Sequence, residues 1–203
     1  MDTEKLYGPY IDDGYRTFSE RLTRIHDRPY LGVRLPVLKR LAAGLDSIDF
    51  PVAYHEDVLL RGFWIARQKL PFAERRKLLE DHLQYLMTWD EADTLAAALR
   101  IGKGEKDEAY AFFSSLLSDE RVMPRRLGIV TLMSKRALYP EKRSGILEAI
   151  CRADSSEYYI SMAVAWALSS FYIDSRDAED FFPLVSEETR KRALQKIRDS
   201  RRA

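Results

Sequence analysis

The chain has 203 residues, 46% apolar and 11% aromatic, with a net charge of +1. This is enough to bury a sizeable core, and it excludes a disordered protein. A single cysteine, Cys151, excludes an internal disulfide and a thiolate metal cluster. No stretch approaches the ~18 apolar residues of a membrane span. Met1–Tyr10 is polar and acidic, so no signal peptide is expected and the protein is expected to be cytoplasmic. No Pro/Gly/Ser-rich linker divides the chain, which predicts one domain over 1–203.

Taken in order, Tyr10–His26 reads as a helix with Tyr15, Phe18, Leu22 and Ile25 on one stripe. Arg28-Pro29 breaks it. Tyr30–Pro36 is a connector into a short helix, Val37–Leu45, with Pro36 suited to its first turn. After the loop Asp46–Pro51 comes a long helix, Ala53–Leu70, with Tyr54, Val58, Ile65 and Trp64 on its stripe. His55 and Glu56 read as its exposed first turn. Pro71 ends it and opens Phe72–Met87, with Leu78, Leu79, Leu83 and Leu86 inward.

Thr88 followed by Glu91 is a capping-box signature, so a new helix should start there and run to about Ile101. Trp89 and Asp93, four residues apart, share a face at the edge of the stripe Trp89, Ala92, Ala96, Leu99. A carboxylate beside an indole at a buried rim needs a partner or a job. It could also serve only the helix dipole, worth roughly 0.3–1 kcal/mol.

Beyond the Gly102–Gly104 break follow helices over Lys106–Leu117, Arg121–Leu138, Pro140–Ala153, Ser155–Ile173, Ala178–Val185 and Glu187–Arg201. Cys151 falls in the apolar run Ile146–Cys151 and reads as a buried structural thiol. No segment has the period of two of a strand. The fold class is all-α, with ten or eleven helices.

Trp89, Arg126 and Trp166 each lie on a helix that begins a new pair, 37 and 40 residues apart, and Arg61 and Trp64 lie on a helix that could join the series. That spacing suits a HEAT-like helical-repeat solenoid, in which residues recurring at the repeat period converge on one concave face. Two indoles, a carboxylate and a guanidinium there would suit a sugar or base, a developing cation and a phosphate. They would also suit a filled core in which Asp93 and Arg126 pair. Arg190–Ala203 carries +6, which leaves −5 on the first 189 residues. A basic terminal helix can track phosphates or simply complement its own dipole. No nucleotide-binding or hydrolase motif is present, and His26, His55 and His82 are too scattered for a metal site. Neither a metal nor a cofactor is expected.

Four segments carry a resemblance: Tyr30–Ala42 (YLGVRLPVLKRLA), Thr88–Asp93 (TWDEAD), Pro124–Val130 (PRRLGIV) and Glu157–Leu168 (EYYISMAVAWAL). In this order and spacing the chain resembles the AlkD-type DNA alkylation repair family, built from HEAT-like repeats. The resemblance implies a monofunctional DNA glycosylase that removes cationic alkylated purines such as N3-methyladenine or N7-methylguanine from duplex DNA. It implies that Trp89 and Trp166 bracket the lesion's deoxyribose. Asp93 would stabilise the cationic sugar and position water, and Arg126 would hold a backbone phosphate, without the base entering a pocket. Arg125 is an expected accessory contact; Arg34, Arg190 and Lys191 complete the expected DNA-contacting set. Where the family commonly continues W-A-L-R-E, this chain has Trp166-Ala167-Leu168-Ser169-Ser170. The alternative is a non-catalytic HEAT-like module that binds nucleic acid or protein. A monomer is expected.

Overall fold

The computed structural model describes residues 3–24 and 27–200. Ile25 and His26, at the end of the expected first helix, and Arg201 and Arg202 of the basic tail lie outside them. The described residues are all-α: no strand occurs among them. The chain forms two compact units, Met1–Arg100 and Ile101–Ala203.

The first unit holds α1 (Thr3–Tyr7), α2 (Asp13–Thr23), α3 (Leu35–Ala43), α4 (His55–Arg67), α5 (Phe72–His82) and α6 (Trp89–Ala98). The first helix starts later than Tyr10, because the Asp12 carboxylate accepts from the Tyr15 amide and caps α2 at Asp13. A short α1 precedes it, unmarked by any periodic stripe. It buries Tyr7, whose hydroxyl donates to Asp57 of α4 at 2.9 Å. Helix α4 is buried nearly all round, so its stripe is broader than Val58 and Ile65. Trp64 is half-buried, and its indole N–H is spent on the Leu45 carbonyl. Arg61 is likewise held inside the unit, by the Ile48 carbonyl and Asp81. Helix α3 pairs with α4, and α4 packs on both α5 and α6, the helix-pair stacking expected of repeats.

The second unit holds α7 (Lys106–Ser115), α8 (Val122–Lys135), α9 (Arg143–Arg152), α10 (Tyr158–Asp174) and α11 (Glu187–Asp199). Helix α8 packs on α7 and α10, and α10 packs on α9 and α11. In place of the α-helix expected over Ala178–Val185, Arg176–Leu184 form a 3-10 segment, with Pro183 denying it an amide donor. Cys151 is buried on α9, and burial pushes its thiol up to about 12, which leaves it inert. No helix among the described residues is long and apolar enough to cross a membrane.

Candidate functional site

Helix α6 begins where the capping signature places it. The Glu91 carboxylate turns back to accept from the Met87 and Thr88 amides, at 2.7 and 3.0 Å. Ala92, Leu95, Ala96 and Leu99 are buried beneath it. Trp89 and Asp93, one turn apart and half-buried, stand in the wall of a cleft of about 290 Å³ within the first unit. Tyr15, Phe18 and Leu22 of α2 line the same cleft. The apolar stripe of α2 is therefore cleft wall rather than core: Phe18 is 57% exposed and Leu22 50%.

Beneath Trp89 and Asp93 lies a charge network that contradicts the reading of His55 and Glu56 as an exposed first turn. His55 is 4% and Glu56 2% exposed. His55 Nδ1 lies 3.0 Å from Glu91 Oε1, and Nε2 lies 3.0 Å from Asp90 Oδ2. A neutral imidazole has one N–H, so donating to both carboxylates requires the imidazolium. Burial alone would lower the His55 pKa, but hydrogen bonding and charge from Asp90 and Glu91 overcome it and raise the value to about 9. Burial would raise Asp90, but the hydrogen bond and charge of His55, together with the Thr88 hydroxyl and a backbone amide, outweigh it and hold the acid below the usual carboxylate range. The Tyr30 ring stacks on the imidazole at 4.2 Å, and Arg28 reaches Glu91 at 3.4 Å.

Glu56 points the other way and accepts from the amides of Leu31, Gly32 and Val33, the shortest at 2.7 Å from Gly32. That contact shapes the connector whose GVRLP segment carries the resemblance. Asp57 caps the start of α4 as Glu91 caps that of α6, each accepting from the two amides that precede its helix, and the two caps lie 34 residues apart. This repeat-period match is the sequence signal by which the network could have been found.

In the second unit, Arg126 of α8 is 6% exposed and donates to the Tyr159 carbonyl in the first turn of α10 at 2.8 Å. Trp166, two turns along α10, is 39% exposed. The structure thus brings Trp89 and Asp93 to one cleft of the first unit, and sets Arg126 and Trp166 on adjacent helices of the second.

The accessory cations are engaged locally. Arg125 donates to the Asp119 carbonyl, and exposed Arg34 pairs with Asp12 while lying over the Tyr15 ring. Arg190 and Lys191 both pair with Glu187. Ser169, at the position where the family commonly has arginine, is buried and donates to the Trp166 carbonyl. No group of His, Cys, Asp and Glu able to hold a metal ion occurs among the described residues.

A protein of stacked helix pairs, with an acid and an indole at a cleft, is the class that this architecture defines. The profile of the DNA alkylation repair enzyme family matches residues 8–196, nearly the whole chain, and the chain belongs to that family. No curated protein and no solved structure matches the chain significantly.

Proposed function

We propose that the protein is a monofunctional DNA glycosylase of base-excision repair, hydrolysing the N-glycosidic bond of cationic alkylated purines in duplex DNA. The observation that carries this reading is the placement of Asp93 one turn from Trp89 in the wall of an open cleft, on a chain that belongs to a DNA alkylation repair family. In the reaction, the bond from C1′ to the alkylated purine breaks with its electron pair going to the base. The base leaves neutral, so no general acid is needed. Positive charge develops on the deoxyribose, as in other glycoside hydrolyses. Asp93 stabilises that charge and orients the water that adds to C1′, and the water's proton is released to solvent. Trp89, in the same cleft wall, offers an indole face to the sugar; the roles of Trp166 as a second indole and Arg126 as a phosphate contact are carried by the family resemblance alone.

The test is release of N7-methylguanine or N3-methyladenine from alkylated duplex DNA by wild type and by Asp93→Asn. The expected result is excision by wild type and a loss on the order of 10²–10³-fold in the variant. No release by wild type, or equal rates, overturns the mechanism.

One observation favours a second reading, a non-catalytic module binding nucleic acid or protein. At Ser169 the chain has a short hydroxyl turned back onto its own helix, where an arginine would reach outward. Salt-dependent binding to duplex DNA without excision would select it.

A further inference from the structure

We infer that His55 of α4 is a positioning residue for the reaction: its two ring nitrogens hold the Asp90 and Glu91 carboxylates, and so set where Asp93 stands in the cleft wall. The inference rests on the glycosylase reading above and adds a residue to it.

The start of α6 is held from two sides. Locally, the Glu91 carboxylate closes the cap on the Met87 and Thr88 amides, and the Thr88 hydroxyl donates to Asp90 Oδ1 at 2.6 Å. From α4, His55 reaches both acids at 3.0 Å. Asp93 follows in the next turn, so whatever orients Asp90 and Glu91 orients it as well. His55 is itself fixed. Its amide donates to the Pro29 carbonyl at 3.0 Å, the Tyr30 ring stacks on the imidazole, and α4 is buried nearly all round. A side chain locked in this way is the kind of support that keeps a reacting group within roughly 0.5 Å of its productive place.

His55 also separates the roles of two acids. Asp90 and Asp93, three residues apart on α6, both line the cleft. Two ionised carboxylates this near oppose each other, and both would draw on the same developing cation and the same water. Commitment of Asp90 to His55 Nε2 and to the Thr88 hydroxyl takes its charge out of that competition. Donation to Asp90 and Glu91 together needs the imidazolium, and Arg28 brings a further cation to Glu91 at 3.4 Å. Without the imidazolium, Asp90 carries its charge into the cleft beside Asp93, and the first turn of α6 loses this tie to α4.

Single-turnover excision of N7-methylguanine from alkylated duplex at saturating enzyme, with duplex affinity measured alongside, tests this in wild type, His55→Gln, Asp93→Asn and the double variant. His55→Gln is expected to slow the saturating rate by about 10–100-fold, the scale of a displaced reacting group, and to keep the duplex affinity. Because His55 acts through the placement of Asp93, the double variant is expected to be no slower than Asp93→Asn alone. A wild-type rate in His55→Gln, a loss confined to affinity or to the active fraction, or losses that multiply in the double variant each overturn the inference while the glycosylase reading stands. Where the glutamine variant does not fold, Asp90→Asn carries the test, since it removes one charge of the clamp and leaves the Glu91 cap in place. A slowed saturating rate then upholds the clamp, and a wild-type rate overturns it. If wild type excises no alkylated base, the glycosylase reading falls and takes this inference with it.

Discussion

His55 Nδ1, in the first turn of α4, lies 3.0 Å from Glu91 Oε1 in the first turn of α6, and this contact joins the two helices immediately below Trp89 and Asp93. Because Nε2 is committed equally to Asp90, the ring carries a proton in the folded protein. The folded pKa of about 9 lies above the ordinary 6.5, so the folded state holds this proton more tightly than the unfolded chain does. The resulting stabilisation is complete below about pH 6.5, declines between about 6.5 and 9, and is absent above that. At 1.36 kcal/mol for each unit, it amounts to about 3 kcal/mol. Denaturation at pH 6 and pH 9 is expected to show that loss in wild type and a much flatter dependence in His55→Gln. Equal pH dependence in the two proteins would show that His55 is neutral in its carboxylate clamp.

The connector before α3 depends on Gly32, which sits at φ +82° in the region that glycine occupies without strain. A Cβ added there would stand 2.1 Å from the Asp12 carbonyl oxygen and 2.8 Å from the Arg16 amide nitrogen, both backbone atoms that cannot step aside. Gly32→Ala is therefore expected to destabilise the protein by at least about 2 kcal/mol, above the usual helix- and turn-propensity changes. Urea denaturation checks it, and a change within about 0.5 kcal/mol would contradict the geometry.

Gly128 makes the opposite case, a glycine inside a helix. Its replacement by alanine would ordinarily gain about 1 kcal/mol of helix propensity. On α8, however, the added carbon would lie 2.8 Å from the Phe113 carbonyl oxygen and 2.9 Å from Leu116 Cβ. The glycine lets α8 approach the end of α7 closely. Gly128→Ala is expected to lose about 1–3 kcal/mol through overpacking, the wrong sign for propensity. A raised melting temperature would show that α8 can shift outward without cost.

These positions show what is legible in the sequence. The helices of α3 to α11 follow from apolar periodicity, and Thr88 with Glu91 marks the start of α6 because both halves of a cap lie within four residues. Trp89 and Asp93 are legible as a pair for the same local reason. His55 and Glu56 mislead because their partners are remote: Glu91 is 36 residues away, and the Gly32 amide is 24. Without those partners, two polar residues opening a helix look like a solvated turn. The α2 stripe is legible as apolar, but only packing decides whether an apolar stripe closes a core or lines a cleft. Helix α1, at five residues, is too short to display a period at all.

The role proposed for Trp166 can be told apart from a structural one. Trp166 is 39% exposed on α10, whereas Leu95, at 2% exposed on α6, is core. Leu95→Ala is expected to cost about 2–5 kcal/mol, with activity lost only through unfolding. Trp166→Ala is expected to cost less stability than Leu95→Ala, because part of the indole already faces solvent. It should nevertheless weaken binding to alkylated duplex by about 1–3 kcal/mol, the range measured for loss of a base-stacking aromatic. Melting temperature, duplex affinity and single-turnover excision measured on one preparation separate the two outcomes. If Trp166→Ala excises and binds like wild type, the indole stacks on nothing in the reaction. If its melting temperature falls as far as that of Leu95→Ala, the side chain is part of the core.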